Sequence, residues 1–167
     1  MPARERLLPS LLDRLTDQNP GSRAAESDRF TFDLAEYRAA VFRDLAWLLN
    51  TTAPARPEEI EGLELTSQST LNYGMPPLSG GVASGLDGKV LEKRIKEVIH
   101  RFEPRLIPET VKVQVEVGAG MDQRALTFRI EAKLWAQPVP EQVYVRTKLD
   151  LETGHVTMSE YGTRERS

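Results

Sequence analysis

Apolar residues recur at helical spacing in the first part of the chain and alternate with polar residues in the last third. They repeat every three or four positions over residues 34–49 and again over residues 87–102, which predicts two amphipathic helices. Asp33 and Glu36 have the spacing of a capping box, so the first helix is predicted to begin directly after Asp33. Its core stripe is predicted to contain Leu34, Tyr37, Val41, Leu45 and Leu48, widened by Phe42 and Trp47.

The last third of the chain has the period of two that is typical of half-buried strands. The pattern predicts strands over residues 111–117, 126–134, 142–151 and 155–158, and their short connections favour antiparallel neighbours. Helices followed by strands predict a single α+β domain. Its mainly antiparallel or mixed sheet has about four strands, with the helices packed on one face. The free edge strand is not identified, although the outward charges of Arg146 and Lys148 are typical of a guarded edge.

Both ends of the chain and the middle loop differ from this pattern. Leucines at helical spacing over residues 4–16, interrupted by Pro9, predict a short amphipathic helix, and the polar residues 17–30 predict a linker. The expected organisation is therefore an N-terminal helix and linker (1–30), an α+β domain (31–160) and a frayed tail (161–167). The leucine helix either folds back onto the domain or docks in a groove of a partner.

The stretch between the two long helices contains prolines and glycines without a sustained period. It is predicted to be irregular over residues 50–88 and to carry a functional or mobile loop. Four apolar side chains are expected to anchor this loop to the core: Leu71, Tyr73, Met75 and Leu78.

Composition excludes several classes of protein. The 167 residues contain no cysteine and two histidines, which removes disulfides and thiolate metal sites. A net charge of −3 gives no cationic surplus for nucleic acid, so no nucleic-acid partner is expected. No apolar run has the length of a membrane span, which predicts a cytoplasmic protein without direct membrane insertion.

No motif predicts a catalytic residue, a metal site or a cofactor. The glycine-rich segment 80–90 lacks the order of a phosphate-binding loop, and the serine-rich segment 65–70 lacks a nucleophile elbow. His100 and His155 have no second ligand at metal spacing. A carboxylate pair for glycoside hydrolysis is not excluded by counting acidic residues.

The segment HRFEPRL (100–106) is the most unusual helix end in the chain. Pro104 disfavours helical backbone at Glu103, so the second long helix should end near Phe102 with Glu103, Pro104 and Arg105 just outside it. Proline stiffens the turn, and its two charges then suit docking to a partner with little loss of entropy. Alternatively, they pair with each other or with the sheet and only end the helix.

Five segments in order resemble the TssE family of baseplate wedge subunits in bacterial type VI secretion systems. They are LLDRL (11–15), RDLAWLLNT (43–51), LNYG with LSG (71–80), IHRFEPRL (99–106) and KLDLETGHV (148–156), so the similarity covers most of the chain. One departure is MPP at residues 75–77, where the family commonly has an acidic residue after the first proline.

The resemblance implies a structural role rather than catalysis. Family members assemble with the baseplate subunits TssF, TssG and TssK around the VgrG spike, in a cytoplasmic baseplate docked at the inner membrane. They help to nucleate the TssB–TssC sheath, for which strand addition to an open sheet edge is a physical route. The family's Glu-Pro-Arg triplet, which contacts the helical core bundle of the wedge, corresponds to residues 103–105. The alternatives are a lysozyme-like peptidoglycan hydrolase or a soluble regulatory anti-adaptor of the same fold.

Overall fold

The computed structural model describes residues 7–16, 32–55, 57–76, 88–116, 125–136 and 139–161. In these ranges the helices are α1 (Leu11–Leu15), α2 (Leu34–Asn50), α3 (Glu64–Gln68) and α4 (Gly88–Phe102). The strands are β1 (Lys112–Glu116), β2 (Ala125–Leu134), β3 (Glu141–Asp150) and β4 (Val156–Glu160). This confirms the predicted single α+β domain. The predicted linker, most of the glycine-rich segment, the turn at 118–123 and the end of the tail lie outside the described residues.

The two long helices begin and end close to where the sequence predicts. Asp33 accepts a hydrogen bond from the Glu36 amide (2.8 Å), and Glu36 accepts one from the Asp33 amide (2.9 Å), which confirms the capping box of α2. Helix α4 ends at Phe102, as predicted. The predicted stripe of α2 is wrong at two positions, because Leu34 is partly exposed and Trp47 is 49% exposed.

The four strands form one antiparallel sheet in the order β1-β2-β3-β4. Its inner face buries apolar side chains of alternate positions, among them Val113, Phe128, Ile130 and Val145. These side chains share one core cluster with the buried residues of α2 and α4. The sheet therefore has one apolar face, toward the helices, and one polar face.

The interpretation of residues 142–151 as a guarded edge is wrong. β3 pairs with β2 on one side and with β4 on the other, so the edge strands are β1 and β4. Arg146 lies on the polar face, where it donates to Glu116 (Nη2 to Oε2, 2.7 Å). An outward charge thus indicates which face of a strand meets water and says nothing about the order of the strands.

The loop after α2 is more ordered than predicted. It contains α3 and two 3-10 turns (Pro57–Ile60 and Thr70–Asn72). Backbone hydrogen bonds from Met75 to Thr51 (2.7 Å) and from Ala53 to Met75 (2.8 Å) hold its two ends together. Gly74 is required there, since it has a φ of +124° and a β-carbon would lie 2.5 Å from the Thr51 carbonyl oxygen.

The predicted anchors of this loop behave differently from one another. Met75 is buried and Tyr73 packs on the core, as predicted, whereas Leu71 is largely exposed and that prediction is wrong. Leu78 lies outside the described residues.

The N-terminal helix is shorter than its leucine pattern predicts. α1 begins only after Ser10, whose side chain caps it, because Pro9 interrupts the regular backbone upstream. Leu7 is buried in the core and its carbonyl accepts a hydrogen bond from the Phe32 amide (2.9 Å). The segment is thus attached to the domain by Leu7.

Candidate functional site

The turn that follows α4 has a backbone fixed on both sides. The amide of Glu103 donates to the Ile99 carbonyl (2.9 Å), and the amide of Leu106 donates to the Glu103 carbonyl (3.2 Å). Beyond it, the Arg105 carbonyl accepts from the Trp135 amide (2.7 Å), so the turn is attached to the end of β2. Leu106 is almost fully buried. We call residues 103–105 the Glu-Pro-Arg turn.

Glu103 and Arg105 bind each other across Pro104. Arg105 donates from Nε to Oε1 of Glu103 (2.6 Å) and from Nη2 to Oε2 (2.5 Å). Glu103 is only 3% exposed, whereas Pro104 is exposed. The geometry of the free chain is therefore the one in which the two charges of the turn pair with each other.

The pair belongs to a longer chain of charges. Arg105 also donates to Asp44 of α2 (Nη2 to Oδ2, 2.7 Å), and the other oxygen of Asp44 accepts from Nη2 of Arg43 (2.7 Å). Arg43 in turn donates to Asp13 of α1 (Nη1 to Oδ1, 2.6 Å). These five side chains, which we call the charge chain, connect the N-terminal helix to the Glu-Pro-Arg turn through α2.

Burial and partners shift the pKa values of Arg105 and Asp13, each in the direction of its charged form. Burial opposes the charge of Arg105, but its bonds to Glu103 and Asp44 outweigh burial and raise the pKa of Arg105. Burial likewise opposes the charge of Asp13, and bonds from Arg43 and Ser10 outweigh it, which lowers the pKa of Asp13. Both of these side chains are therefore charged at neutral pH.

Aromatic rings shield this site from water. Burial is the main cause of the raised pKa of Tyr37 and of Tyr73, and both hydroxyls sense the charges of Glu103 and Arg105. Tyr73 packs edge to face on Phe102, the last residue of α4, at a centroid distance of 5.2 Å. Shielding of this kind strengthens the electrostatic bonds of the turn.

One donor of the site has no partner. Nη1 of Arg105 is covered and makes no hydrogen bond in the part of the chain that the structure describes. A buried donor without an acceptor is unfavourable and unusual. The site can therefore gain energy from an acceptor brought in by another molecule when the side chain of Arg105 adjusts.

Three residues of this site were predicted from the sequence as a docking triplet, a role that stays a prediction, and three others were not predicted. Glu103, Pro104 and Arg105 lie together, but Asp13, Arg43 and Asp44 were not assigned a role. The motifs that carry the family resemblance could have indicated these residues. Each of four motifs contributes a side chain to the charge chain or to the aromatic rings around it: LLDRL, RDLAWLLNT, LNYG and IHRFEPRL.

The two edges of the sheet are closed to different degrees. On β1, the outward amide of Val115 donates to Glu92 of α4 (2.7 Å). On β4, Asn50 of α2 binds both backbone groups of Val156, accepting from its amide (2.8 Å) and donating to its carbonyl (2.9 Å). Because the ladder has a period of two, the backbone groups of Met158 and Glu160 also face away from β3.

Candidate metal ligands do not cluster in the described ranges. Within these ranges no cluster of three or more histidine, cysteine, aspartate or glutamate side chains has the geometry to hold a metal ion. His100 and His155 are both exposed. Across the same residues, no helix combines the length and apolarity needed to cross a membrane.

Comparison with protein families places this geometry in a known context. The sequence model of one family, described as baseplate wedge protein gp25, matches residues 35–139. That range includes Arg43, Asp44 and the Glu-Pro-Arg turn, and it covers more than half of the chain. Searches among curated proteins and among solved structures found no match. The chain therefore belongs to the family of the baseplate wedge protein gp25, as its resemblance to a baseplate wedge subunit predicted.

Proposed function

We propose that this protein is the TssE-type wedge subunit of a type VI secretion baseplate. Membership of the gp25 family supports a structural role in a baseplate. The five motifs, which occur in order inside and outside the matched range, favour a secretion system over a phage tail. In this proposal its partners are TssF, TssG and TssK, the VgrG spike and the TssB–TssC sheath. It works in the cytoplasm at a baseplate docked to the inner membrane, with residues 31–160 as the working domain.

The Glu-Pro-Arg turn is proposed to dock onto the helical core bundle of the wedge. Pro104 is exposed and the backbone on either side of it is already ordered, so docking requires little loss of conformational entropy. Arg105 holds a covered donor for a partner carboxylate or for the last carbonyls of a partner helix. Glu103 is buried under Arg105, so its part is to hold and orient that guanidinium.

The test must separate docking from folding. Removing Glu103 alone would take away one of the two carboxylates that bind Arg105, and breaking a buried pair in this way costs about 3–5 kcal/mol. The double variant Glu103→Gln with Arg105→Gln keeps hydrogen-bonding groups and removes both charges together. We expect it to stay folded and to bind TssF and TssG at least about tenfold more weakly, measured by co-purification and titration. Arg146→Gln, on the polar face of the sheet, is the matched control and should bind normally.

The result that contradicts this proposal is simple to recognise. Wild-type binding by the double variant, with an unchanged thermal unfolding curve, would show that the charges of the turn serve only the fold. Loss of binding in the Arg146→Gln control as well would point to a general effect of surface charge.

Sheath nucleation is proposed to occur by strand addition at β4. The outward backbone groups of Met158 and Glu160 are what an incoming strand pairs with. On β1, Glu92 of α4 binds the amide of Val115 within the strand. On β4, Asn50 binds the backbone groups of Val156 at the start of the strand, and the outward groups of Met158 and Glu160 follow beyond it. This arrangement favours β4 as the proposed template.

The hydrolase alternative has a direct test. In the described structure the two most deeply buried carboxylates, Asp13 and Glu103, are each bound to an arginine, which leaves them poorly suited to proton transfer. Turnover of peptidoglycan by the purified chain, abolished by a single acidic substitution, would overturn the structural role.

A further inference from the structure

The N-terminal helix lies on the domain with its polar side inward. Asp13 is buried, with its carboxylate bound by Arg43 and by the Ser10 hydroxyl (2.6 Å). The leucines of the same segment face solvent: Leu8, Leu11, Leu12 and Leu15 are 75%, 70%, 49% and 75% exposed. An amphipathic helix that only packed against its own domain would have the opposite orientation.

This orientation is held at both ends of the segment. Leu7 occupies the core and pairs with Phe32, and Asp13 anchors α1 to α2 through Arg43. The leucines are therefore presented outward by specific contacts. We call Leu8, Leu11, Leu12 and Leu15 the leucine face.

The segment that carries the leucine face is connected to the Glu-Pro-Arg turn through the charge chain. The guanidinium of Arg43, which binds Asp13, also lies 4.9 Å from the ring centre of the half-exposed Trp47. Only Arg43 and Asp44 separate Asp13 from Arg105 along the charge chain. The N-terminal helix and the turn are thus both held against α2.

The size of the leucine face decides between its possible occupants. Its exposed apolar area is on the order of 400 Å², which is comparable to the largest apolar patch on a typical monomer. A stable pair of identical chains needs about 800 Å² from each partner, which the leucine face alone does not supply. A single partner helix does not need that area from the leucines alone, because helix recognition relies on a few apolar anchors at helical spacing.

We propose that the leucine face and the Glu-Pro-Arg turn form one docking surface for one amphipathic partner helix. Its apolar face packs on the leucines and Trp47, and its carboxyl end or an acidic side chain meets Arg105. This inference rests on the proposed docking of the turn, and it adds the N-terminal segment to that interface. It also assigns the leucines to a partner rather than to the core of this chain.

The natural absence of cysteine allows a direct test in the full-length chain. Leu11→Cys introduces a unique thiol on the leucine face, and Leu65→Cys introduces a matched thiol on α3, where Leu65 is 87% exposed. Maleimide reaction rates are measured for each, in the free chain and in the purified complex with TssF and TssG. We expect the thiol at position 11 to react at least about tenfold more slowly in the complex and the thiol at position 65 to react equally fast in both.

Each outcome bears on the inference. Equal reactivity at position 11 in both states overturns it while leaving the docking of the turn intact. Slow reaction in the dilute free chain means that the chain covers its own leucines, and slowing only at high concentration means that a second copy does; both overturn it. If the wild-type chain does not assemble with TssF and TssG at all, the proposed function fails together with this inference.

A second variant tests the energy of the contact. Leu11→Gln with Leu15→Gln should leave the fold unchanged, because both leucines are exposed, and should weaken binding by about tenfold or more. Failure of Leu11→Cys to assemble, while Leu65→Cys assembles normally, would also support the inference. Unchanged affinity of the double glutamine variant would overturn the inference.

Discussion

At the scale of single residues, the charge chain alternates in sign from Asp13 through Arg43, Asp44 and Arg105 to Glu103. Each arginine lies between two carboxylates, so the loss of an inner member breaks two links of the series. Asp13 is one of the two end members, and in this series it touches only Arg43 through a single hydrogen bond. It is therefore the position at which one link can be removed with the least disturbance of the rest.

Asp13→Asn is predicted to lower stability by about 1–2 kcal/mol near neutral pH, because a charged hydrogen bond becomes a neutral one. The pKa of Asp13 is lower in the folded chain than its ordinary value of 3.8. Its stabilising effect is therefore complete above that value and is lost as the pH falls toward the folded pKa. Urea unfolding of wild type and variant between pH 7 and pH 3 should show the two curves converging in acid.

The exposed Glu109 provides the control for this measurement. Glu109→Gln should change stability by less than about 0.5 kcal/mol, because it alters one exposed side chain. A constant difference between wild type and Asp13→Asn over the whole range would mean that the variant acts through packing and not through charge.

At this scale, the position of the turn was predictable from the sequence, but the burial of Glu103 was not. The restriction that Pro104 places on Glu103 is local, so the helix end and the three residues of the turn follow from the sequence. The burial of Glu103 depends on Arg105 meeting Asp44, which lies 61 positions earlier, and Arg43 meets Asp13 across 30 positions. Contacts at such separations leave no periodic signal.

At the scale of elements, the two periods of apolar residues identified the long helices and the strands, since each element buries one side only. The order of the strands could not be predicted from the sequence. An alternating pattern shows which side chains face water, but it does not show which strands pair with each other. For another reason, α1 was predicted too long and α3 was not predicted. Their leucines are exposed, so their apolar pattern does not report burial.

The edge of β4 gives a prediction at this scale. Met158→Pro removes an outward amide and leaves the ladder to β3 intact, and proline is tolerated on an edge strand in that orientation. We expect the variant to remain folded and to bind TssF and TssG, but to fail in forming extended sheaths, as counted by electron microscopy of cells that express it.

Thr157→Pro is the informative comparison, because the amide of Thr157 faces β3 and its loss should destabilise the hairpin itself. Normal sheath numbers with Met158→Pro would exclude pairing at this edge.

At the scale of the whole molecule, α2 connects the surfaces. Its first half carries Arg38, which pairs with Glu141 and Glu160 at the end of the sheet, and its middle carries Arg43 and Asp44 of the charge chain. One helix thus connects the proposed docking surface to Glu160 of β4.

Residues 31–167 without the N-terminal segment are predicted to fold by themselves. The loss of Leu7 from the core and of the Asp13 anchor should lower the free energy of unfolding by about 2–4 kcal/mol. Circular dichroism should show a retained helix and strand signal with a lower unfolding midpoint. Leu7→Ala in the full chain should account for roughly half of the loss; an unfolded truncated chain would place residues 1–30 inside the domain.

The carboxamide of Asn50 imitates a peptide unit at the beginning of β4. In the strand addition that we propose, a guest strand that pairs along this edge from Glu160 would reach, after Met158, the position that Asn50 already fills. Asn50 would thereby set the register of the guest and restrict it to the outward groups of two residues. At about 0.5–1.5 kcal/mol for each hydrogen bond, so short a pairing is reversible by itself. Persistent attachment in this proposal would therefore require several subunits to pair at the same time.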